Sequence, residues 1–335
     1  MKIKIFSLML ALLASLFYIP SANAGINLKA AGSTFSANFI EQCRILYAKQ
    51  TGNSLTYQAN GSGAGRNFFI NKLVDFSVSD TPYGASDKKP TEEFVYVPLV
   101  SGPIAIVYNL PNYKIRLKLS NEVLAKIFAG QITKWNDPEI AKLNSGKLPN
   151  VNIIVVYRAD GSGTSEVFTS YLNKVAPTIW NKNGNKDFKT AFPGTLSPYF
   201  QSVSGSTQVA FTQKMFNGSI AYNEVSYVRG MQSALIENGA GKFVAPTINS
   251  ASSFLSHLKF NQDGTATIDY LLKSNGSYNI STFAYGIAYV KSGENSSTIK
   301  DFFTFAITKC NKIEGYASIS GNALRVAKSQ IAKLN

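Results

Sequence analysis

One arrangement recurs along this 335-residue chain: a β-rich run leads through a Gly/Ser/Thr loop into an amphipathic helix. The loops lie at 31–35, 61–65 and 158–165, and the third follows the strongly β-branched run 151–157. Strands and helices that alternate in this way are typical of α/β domains with mostly parallel sheets. Ligands of such sheets bind at the carboxyl ends of the strands. The pattern therefore predicts an α/β fold with its binding groups in these loops.

The spacing of apolar residues refines this prediction. It predicts helices over 36–49 and 66–73 and from 166 onward, with strands at 54–58 and 75–78. Two segments rich in Ser, Thr, Asn or Gly, 245–256 and 291–297, are predicted to be surface loops. The length alone favours two domains.

The first 24 residues are predicted to be a cleaved signal peptide. Lys2 and Lys4 precede an apolar run, and Ala22-Asn23-Ala24 supplies a small-x-small cleavage pattern. The run is short for a membrane span, so an uncleaved anchor is the weaker interpretation. We therefore expect an exported protein.

The predicted export affects the expected oxidation state of the two cysteines, Cys43 and Cys310. An oxidising compartment would allow them to form a disulfide, although they lie far apart in the sequence. Two buried free thiols are an equally acceptable interpretation, because spacing alone does not determine connectivity.

The chain has few residues suited to catalysis or metal binding. It contains two Cys and one His, which excludes His-based zinc sites and multi-Cys metal knuckles. A Ser-His-Asp triad would have to use His257, whose sequence context favours a surface or packing role. The dinucleotide pattern G-x-G-x-x-G fails at Arg66, and no P-loop or nucleophile-elbow motif occurs. We expect no enzyme activity, no metal and no cofactor.

The formal net charge of +14 raises the question of nucleic-acid binding. The basic residues are spread along the chain as single positions without interleaved aromatic residues. This distribution favours a solvated surface, so no nucleic-acid partner is expected.

The three Gly/Ser/Thr loops are suited to binding a small anion. A helix start presents backbone N–H groups without partners and carries a partial positive charge. Glycine allows close approach, and the third loop adds the planar guanidinium of Arg158. Any one loop is better explained as a helix cap, but three in one chain favour an anion site.

Asp80 and Asp160 lie close to these loops, where carboxylates should repel an anion. Each is readily explained as a turn or cap residue. Alternatively, a carboxylate that only accepts hydrogen bonds would favour an anion that still carries a proton, such as phosphate, over sulfate. Asp160 would instead orient Arg158, two residues before it.

These motifs together resemble those of the periplasmic phosphate-binding proteins of phosphate-specific ABC transporters. The resemblance is carried by AGSTF at 31–35, YQANGSGAG at 57–65, VDFSVSDTP at 74–82 and RADGSGTS at 158–165. It covers most of residues 28–175 and becomes weaker afterwards, and segment 194–209 departs from the glycine-rich stretch usual in the family.

The resemblance implies a type II periplasmic-binding-protein fold with two α/β lobes and a ligand cleft between them. The implied lobes are 25–104 with 279–335, and 105–278. The implied phosphate contacts are Thr34, Phe35, Ser62, Asp80, Arg158, Ser162, Gly163 and Thr164. In this family Phe35 and Gly163 would bind through backbone N–H, Asp80 would accept the phosphate proton, and Asp160 would pair with Arg158.

The resemblance also implies partners and a location. We expect a monomer that binds inorganic phosphate and delivers it to a membrane ABC permease. We expect this protein in the periplasm, with the cell surface as an alternative second location. A secreted adhesive protein or a hydrolase built on the same scaffold is the alternative.

Overall fold

The computed structural model describes residues 25–84, 87–310 and 312–335. The predicted signal peptide lies outside the described residues. The strands are β1 Asn27–Gly32, β2 Ser54–Gln58, β3 Phe76–Ser79, β4 Phe94–Tyr108, β5 Lys118–Leu119, β6 Ile154–Arg158, β7 Phe200–Val203, β8 Ser219–Glu224, β9 Gln232–Ser233, β10 Leu235–Glu237, β11 Phe243–Val244, β12 Lys259–Phe260, β13 Ala266–Thr267 and β14 Ser281–Tyr289. The helices are α1 Ala37–Thr51, α2 Ser62–Ile70, α3 Asn121–Phe128, α4 Pro138–Leu143, α5 Gly163–Val175, α6 Phe188–Ala191, α7 Gly205–Met215, α8 Ile248–Leu255, α9 Ser296–Lys309 and α10 Gly321–Ala332.

The main sheet has the strand order β2-β1-β3-β14-β4-β8-β6-β7, and β9 also pairs with β4. β1 is parallel to β2 and β3, and β6 is parallel to β7 and β8. β14 is antiparallel to both of its neighbours, and β4 is antiparallel to β8. The predicted α/β class is thus confirmed, and the antiparallel pairs described in this main sheet all involve β4 or β14.

β4 divides this sheet into two parts because it changes partner along its length. Its residues up to Pro103 pair with β14, and those from Ile104 to Tyr108 pair with β8. We call half I the strands β2, β1, β3, β14 and the start of β4, with the described loops and helices of residues 25–93 and with α9. We call half II the end of β4 and the strands β8, β6 and β7, with the loops and helices of residues 159–218. The chain crosses again near Ile280, whose carbonyl accepts a hydrogen bond of 2.8 Å from Ile104 N–H.

Two helices of half I are joined covalently. Cys43 in α1 and Cys310 at the end of α9 form a disulfide with a Cα–Cα distance of 5.5 Å. Tyr47 packs edge-on against Phe302 and Phe305 beside it, with ring centroids 5.3 Å apart in both pairs. Of the two alternatives that the sequence left open, the structure has the disulfide, which closes a loop across most of the chain.

Several predicted boundaries are wrong. Segment 245–256 contains a helix, α8, because Thr247 and Ser250 form a capping box and Phe254 and Leu255 are buried. Segment 291–297 contains the first residues of α9. α2 and α5 begin at Ser62 and Gly163, earlier than predicted, so Gly/Ser residues that the pattern assigns to loops form the first helical turns. This shift places the helix starts themselves at the ends of the strands.

Candidate functional site

Four helix N-termini of the described chain meet where half I and half II contact each other. Those of α1 and α2 follow β1 and β2, and those of α5 and α7 follow β6 and β7. The first N–H groups of a helix have no partner within the helix, and the helix start carries a partial positive charge. Their convergence creates an electropositive, donor-rich position at the carboxyl ends of the strands.

Asp80, immediately after β3, lies at the centre of this position and is only 2% exposed. Its carboxylate accepts hydrogen bonds from the Ser33 hydroxyl and, at 2.9 Å, from the Thr164 hydroxyl of half II. Its backbone N–H donates to Ser62 Oγ at 3.2 Å. Burial raises the pKa of Asp80 to about 6, although these hydroxyl donors and two arginines lower it. The carboxylate is therefore mostly ionised at neutral pH and accepts hydrogen bonds.

Arg158 ends β6 and is 3% exposed. Its Nε donates to Asp160 Oδ1 at 2.7 Å, and its Nη2 donates to Asp160 Oδ2. Asp160 Oδ1 also accepts a hydrogen bond of 3.0 Å from Gly205 N–H. Burial raises the pKa of Asp160, but the hydrogen bonds and charge of Arg158 outweigh it, so the net shift is downward. The pairing holds one edge of the guanidinium, and the remaining Nη1 is directed towards Ser206, at 3.5 Å.

The start of α5 is packed closely against half I. Ser162 is its N-cap and accepts a hydrogen bond of 3.1 Å from Ser165 N–H. A Cβ at Gly163 would lie 2.5 Å from Ser62 Oγ and 2.8 Å from Asp80 Cβ. Glycine is therefore required at position 163 for the helix start to reach Ser62 and Asp80.

The side chains of Thr34 and Phe35 lie in different surroundings. The Phe35 ring is fully buried and packs edge-on against Tyr316, with centroids 6.2 Å apart. The Phe35 side chain therefore packs in the core. Thr34 is 6% exposed, and its Oγ1 lies 2.9 Å from Ser206 Oγ.

Ser206, in the first turn of α7, was not found by sequence reasoning. It is fully buried, its N–H donates to Thr34 Oγ1 at 3.3 Å, and its Oγ accepts from Arg158 Nη1. It thereby links α7 of half II to the loop after β1. The signal for Ser206 is a fourth strand–Gly/Ser–helix pattern at 200–210, which overlaps the segment 194–209 that departs from the family.

A second set of contacts joins the halves beside Asp80. Arg66 of α2, 2% exposed, lies 3.6 Å from Asp87 and 3.4 Å from Glu166 of α5. Lys186 of half II pairs with Asp87, and Thr81 Oγ1 donates to Glu166 at 2.7 Å. Two cations and two carboxylates balance here, so the cluster ties the halves together without adding net charge.

All eight predicted contact residues, and Asp160, lie in the loops and helix starts that meet here. They are Thr34, Phe35, Ser62, Asp80, Arg158, Ser162, Gly163 and Thr164. His257 lies elsewhere, beyond the end of α8, and its Nδ1 is 2.6 Å from Ser253 O. Within the residues that the structure describes, no group of three or more His, Cys, Asp or Glu could hold a metal ion. In that same part of the chain, no helix has the length and apolar character needed to cross a membrane.

Comparison with known proteins agrees with this arrangement. Residues 20–309 match the model of a family described as PBP superfamily domain. The chain is 35% identical over 323 residues to the phosphate-binding protein PstS of Haemophilus influenzae, covering 93% of this chain and 94% of that one. It is 39% identical over 254 residues to PstS of Pasteurella multocida, covering 75% and 70% of the two chains.

Solved structures show the same fold at lower identity. A high-affinity periplasmic phosphate-binding protein bound with phosphate is similar with a TM-score of 0.73 and 20% identity, covering 91% of this chain and 93% of that one. An ABC-type phosphate transport receptor from Vibrio cholerae is similar with a TM-score of 0.58 and 18% identity, covering 87% and 99%. These similarities confirm the predicted two-lobe type II periplasmic-binding-protein fold.

Proposed function

The chain belongs to the PBP superfamily domain family, and from this premise we propose that it binds inorganic phosphate between its halves and delivers it to an ABC-type permease for import. The names of its relatives PstS in Haemophilus influenzae and Pasteurella multocida support the ligand. The alternative, a secreted adhesive protein or a hydrolase, is not favoured by these relatives.

The observation that carries the proposal is the position of Asp80 among donors. Arg158 and the helix starts favour an anion, whereas a buried carboxylate repels an anion that has no proton to donate. An oxyanion that carries a proton satisfies both, because its O–H donates to the carboxylate. Phosphate near neutral pH has such a proton and sulfate does not, so the combination selects phosphate.

The proposed ligand set follows from this chemistry. The backbone N–H groups of Thr34, Phe35 and Gly163 donate, as do the hydroxyls and the arginine. The full proposed set is Thr34, Phe35, Ser62, Asp80, Arg158, Ser162, Gly163 and Thr164. Asp160 holds Arg158 in place and does not contact the anion.

We propose that the lobes are 25–104 with 279–335, and 105–278. The change of partner along β4 between Pro103 and Ile104 supports the first boundary. The hydrogen bond from Ile104 N–H to Ile280 O supports a second crossing near 279. The lobes then close around the anion by rotation about these crossings.

The remaining features of the proposal concern the context of binding. The protein acts as a receptor without catalysis, as a monomer exported to the periplasm, and its partner is the membrane permease of the phosphate transporter. The binding proteins among its relatives support this role.

The test is calorimetric titration of the purified mature protein with inorganic phosphate, alone and in the presence of sulfate. We expect one phosphate per chain and no displacement by millimolar sulfate. Absence of phosphate heat, or equal competition by sulfate, would contradict the proposal.

A further inference from the structure

Three successive backbone carbonyls of the 33–35 loop each accept a hydrogen bond from a tyrosine. Tyr57 Oη donates to Ser33 O at 2.8 Å, Tyr227 Oη to Thr34 O at 2.8 Å, and Tyr316 Oη to Phe35 O at 2.7 Å. Tyr57 is in β2, Tyr227 is in the 3-10 turn Val225–Tyr227 after β8, and Tyr316 lies before α10. Three remote parts of the chain thus hold one short loop.

These bonds determine where the amide hydrogens of the loop point. In a planar trans peptide the C=O of one residue and the N–H of the next point in opposite directions. A hydroxyl that holds Ser33 O therefore also orients the N–H of Thr34, and one that holds Thr34 O orients the N–H of Phe35. The hydrogen bond from Tyr316 to Phe35 O likewise orients Ser36 N–H, which donates to Ser33 Oγ at 3.3 Å.

We propose that Tyr57 and Tyr227 are positioning residues for the anion, which aim the Thr34 and Phe35 N–H groups into the site, and that Tyr316 anchors the end of the same loop. This inference rests on the proposed function, because it assigns a role to residues that do not contact phosphate themselves. The tyrosines act by fixing donors before the anion arrives, which removes the cost of ordering the loop on binding.

The hydroxyls are suited to this role over the whole neutral range. Burial raises the pKa of Tyr57, Tyr227 and Tyr316 above the ordinary value. All three therefore remain protonated and donate. A phenylalanine at any of these positions keeps the ring and loses only the donor.

The test compares Tyr57→Phe and Tyr227→Phe with the control Tyr113→Phe. Tyr113 is buried and also donates its hydroxyl to a backbone carbonyl, Ser145 O at 2.7 Å, but contacts none of the proposed ligands. Titration with inorganic phosphate should show a loss of affinity of about 3- to 10-fold in each of the two site variants, the size expected for one hydrogen bond. The control should bind as the wild type does.

A second measurement distinguishes a changed orientation of the Thr34 and Phe35 N–H groups from general destabilisation of the fold. Amide ¹H–¹⁵N resonances are recorded with and without saturating phosphate. We expect Tyr57→Phe to reduce the phosphate-induced shift of the Thr34 amide more than that of Phe35, and Tyr227→Phe to do the reverse. Each tyrosine has its own variant, so misfolding of one leaves the other as a test.

The outcomes distinguish this inference from the function on which it rests. Phosphate binding by the wild type with unchanged affinity and unchanged amide shifts in both variants would overturn the inference alone. So would an equal loss in Tyr113→Phe. Absence of phosphate binding by the wild type would overturn the proposed function and the inference with it.

Discussion

Thr164 Oγ1 of half II donates a 2.9 Å hydrogen bond to Asp80 Oδ2 of half I. The donor lies in the first turn of α5, and the acceptor lies at the end of β3. One carboxylate thus receives donors from both halves, and it occupies the place where four helix starts favour negative charge. Binding selectivity and contact between the halves therefore depend on the same side chain.

Replacement of Asp80 by Asn should reduce selectivity between anions more than it reduces phosphate affinity. The amide keeps the shape but can donate, so it removes the penalty against an anion without a proton. We expect the preference for phosphate over sulfate to fall by about tenfold or more, equivalent to ~1.4 kcal/mol. Competition calorimetry measures both affinities, with Asp137→Asn, a cap of α4, as the control. Equal losses for the two anions would contradict the acceptor role.

Replacement of Arg158 by Ala should weaken phosphate binding by about 2–4 kcal/mol, because hydrogen bonds to a charged group are lost and Asp160 is left half-buried without its partner. Arg158→Lys should recover only part of the loss, since an ammonium cannot pair with Asp160 and also direct a second nitrogen to the site. Arg44→Ala, which removes an exposed pair with Glu41, is the control. Phosphate affinity unchanged in Arg158→Ala would remove this residue from the site.

The three loops of the site were predictable from sequence because strand, Gly/Ser turn and helix follow one another directly. The register of the helix starts was not, since Ser62 and Gly163 are poor helix formers. Their place in the first helical turns depends on the close approach of Gly163 of half II to Ser62 and Asp80 of half I. Ser206 was missed for a related reason: its role depends on Thr34, 172 residues away in sequence.

The errors outside the site have the same origin. Segment 245–256 is rich in Ser and Thr, which are neutral in helices, and becomes α8 because Phe254 and Leu255 are buried in the core. The pairing of Cys43 with Cys310, which the sequence left open, depends on the packing of α1 against α9. Local pattern therefore predicted the chemistry of the loops, and tertiary contacts decided which residues complete the site.

Replacement of both Cys43 and Cys310 by Ala should lower the free energy of unfolding by about 2–5 kcal/mol, since the disulfide constrains the unfolded chain across a separation of 267 residues. Phosphate affinity should be unchanged, because neither sulfur contacts a proposed ligand. Thermal unfolding and phosphate titration of the double variant measure the two effects separately. An unfolding temperature equal to that of the wild type would show that the crosslink does not stabilise the fold.

Glu224 gives the protein a second titrating carboxyl near neutral pH. It ends β8, is fully buried, and accepts a hydrogen bond of 2.7 Å from Ser226 N–H and another from Ser226 Oγ. Burial raises the pKa of Glu224 from 4.5 to about 8, against the effect of these hydrogen bonds. Between about pH 4.5 and 8, Glu224 is therefore protonated in the folded state and ionised in the unfolded state. The stability from this group is full below about pH 4.5 and is lost as the pH rises towards 8.

Glu224→Gln should remove this part of the pH dependence. The amide matches the protonated acid in shape, so we expect equal stability of variant and wild type near pH 5, whereas above pH 8 the variant should be the more stable. The wild type should lose up to about 1.4 kcal/mol per pH unit within this window. Asp80, whose pKa is raised to about 6, contributes a loss of the same sign between about pH 4 and 6 and is retained in both proteins.

Denaturant unfolding of phosphate-free protein between pH 5 and 9 measures the difference in stability between Glu224→Gln and the wild type, with the exposed Glu139→Gln as the control. Parallel curves for Glu224→Gln and the wild type would show that Glu224 does not titrate in this range, and a matching change in the control would assign the effect to net charge.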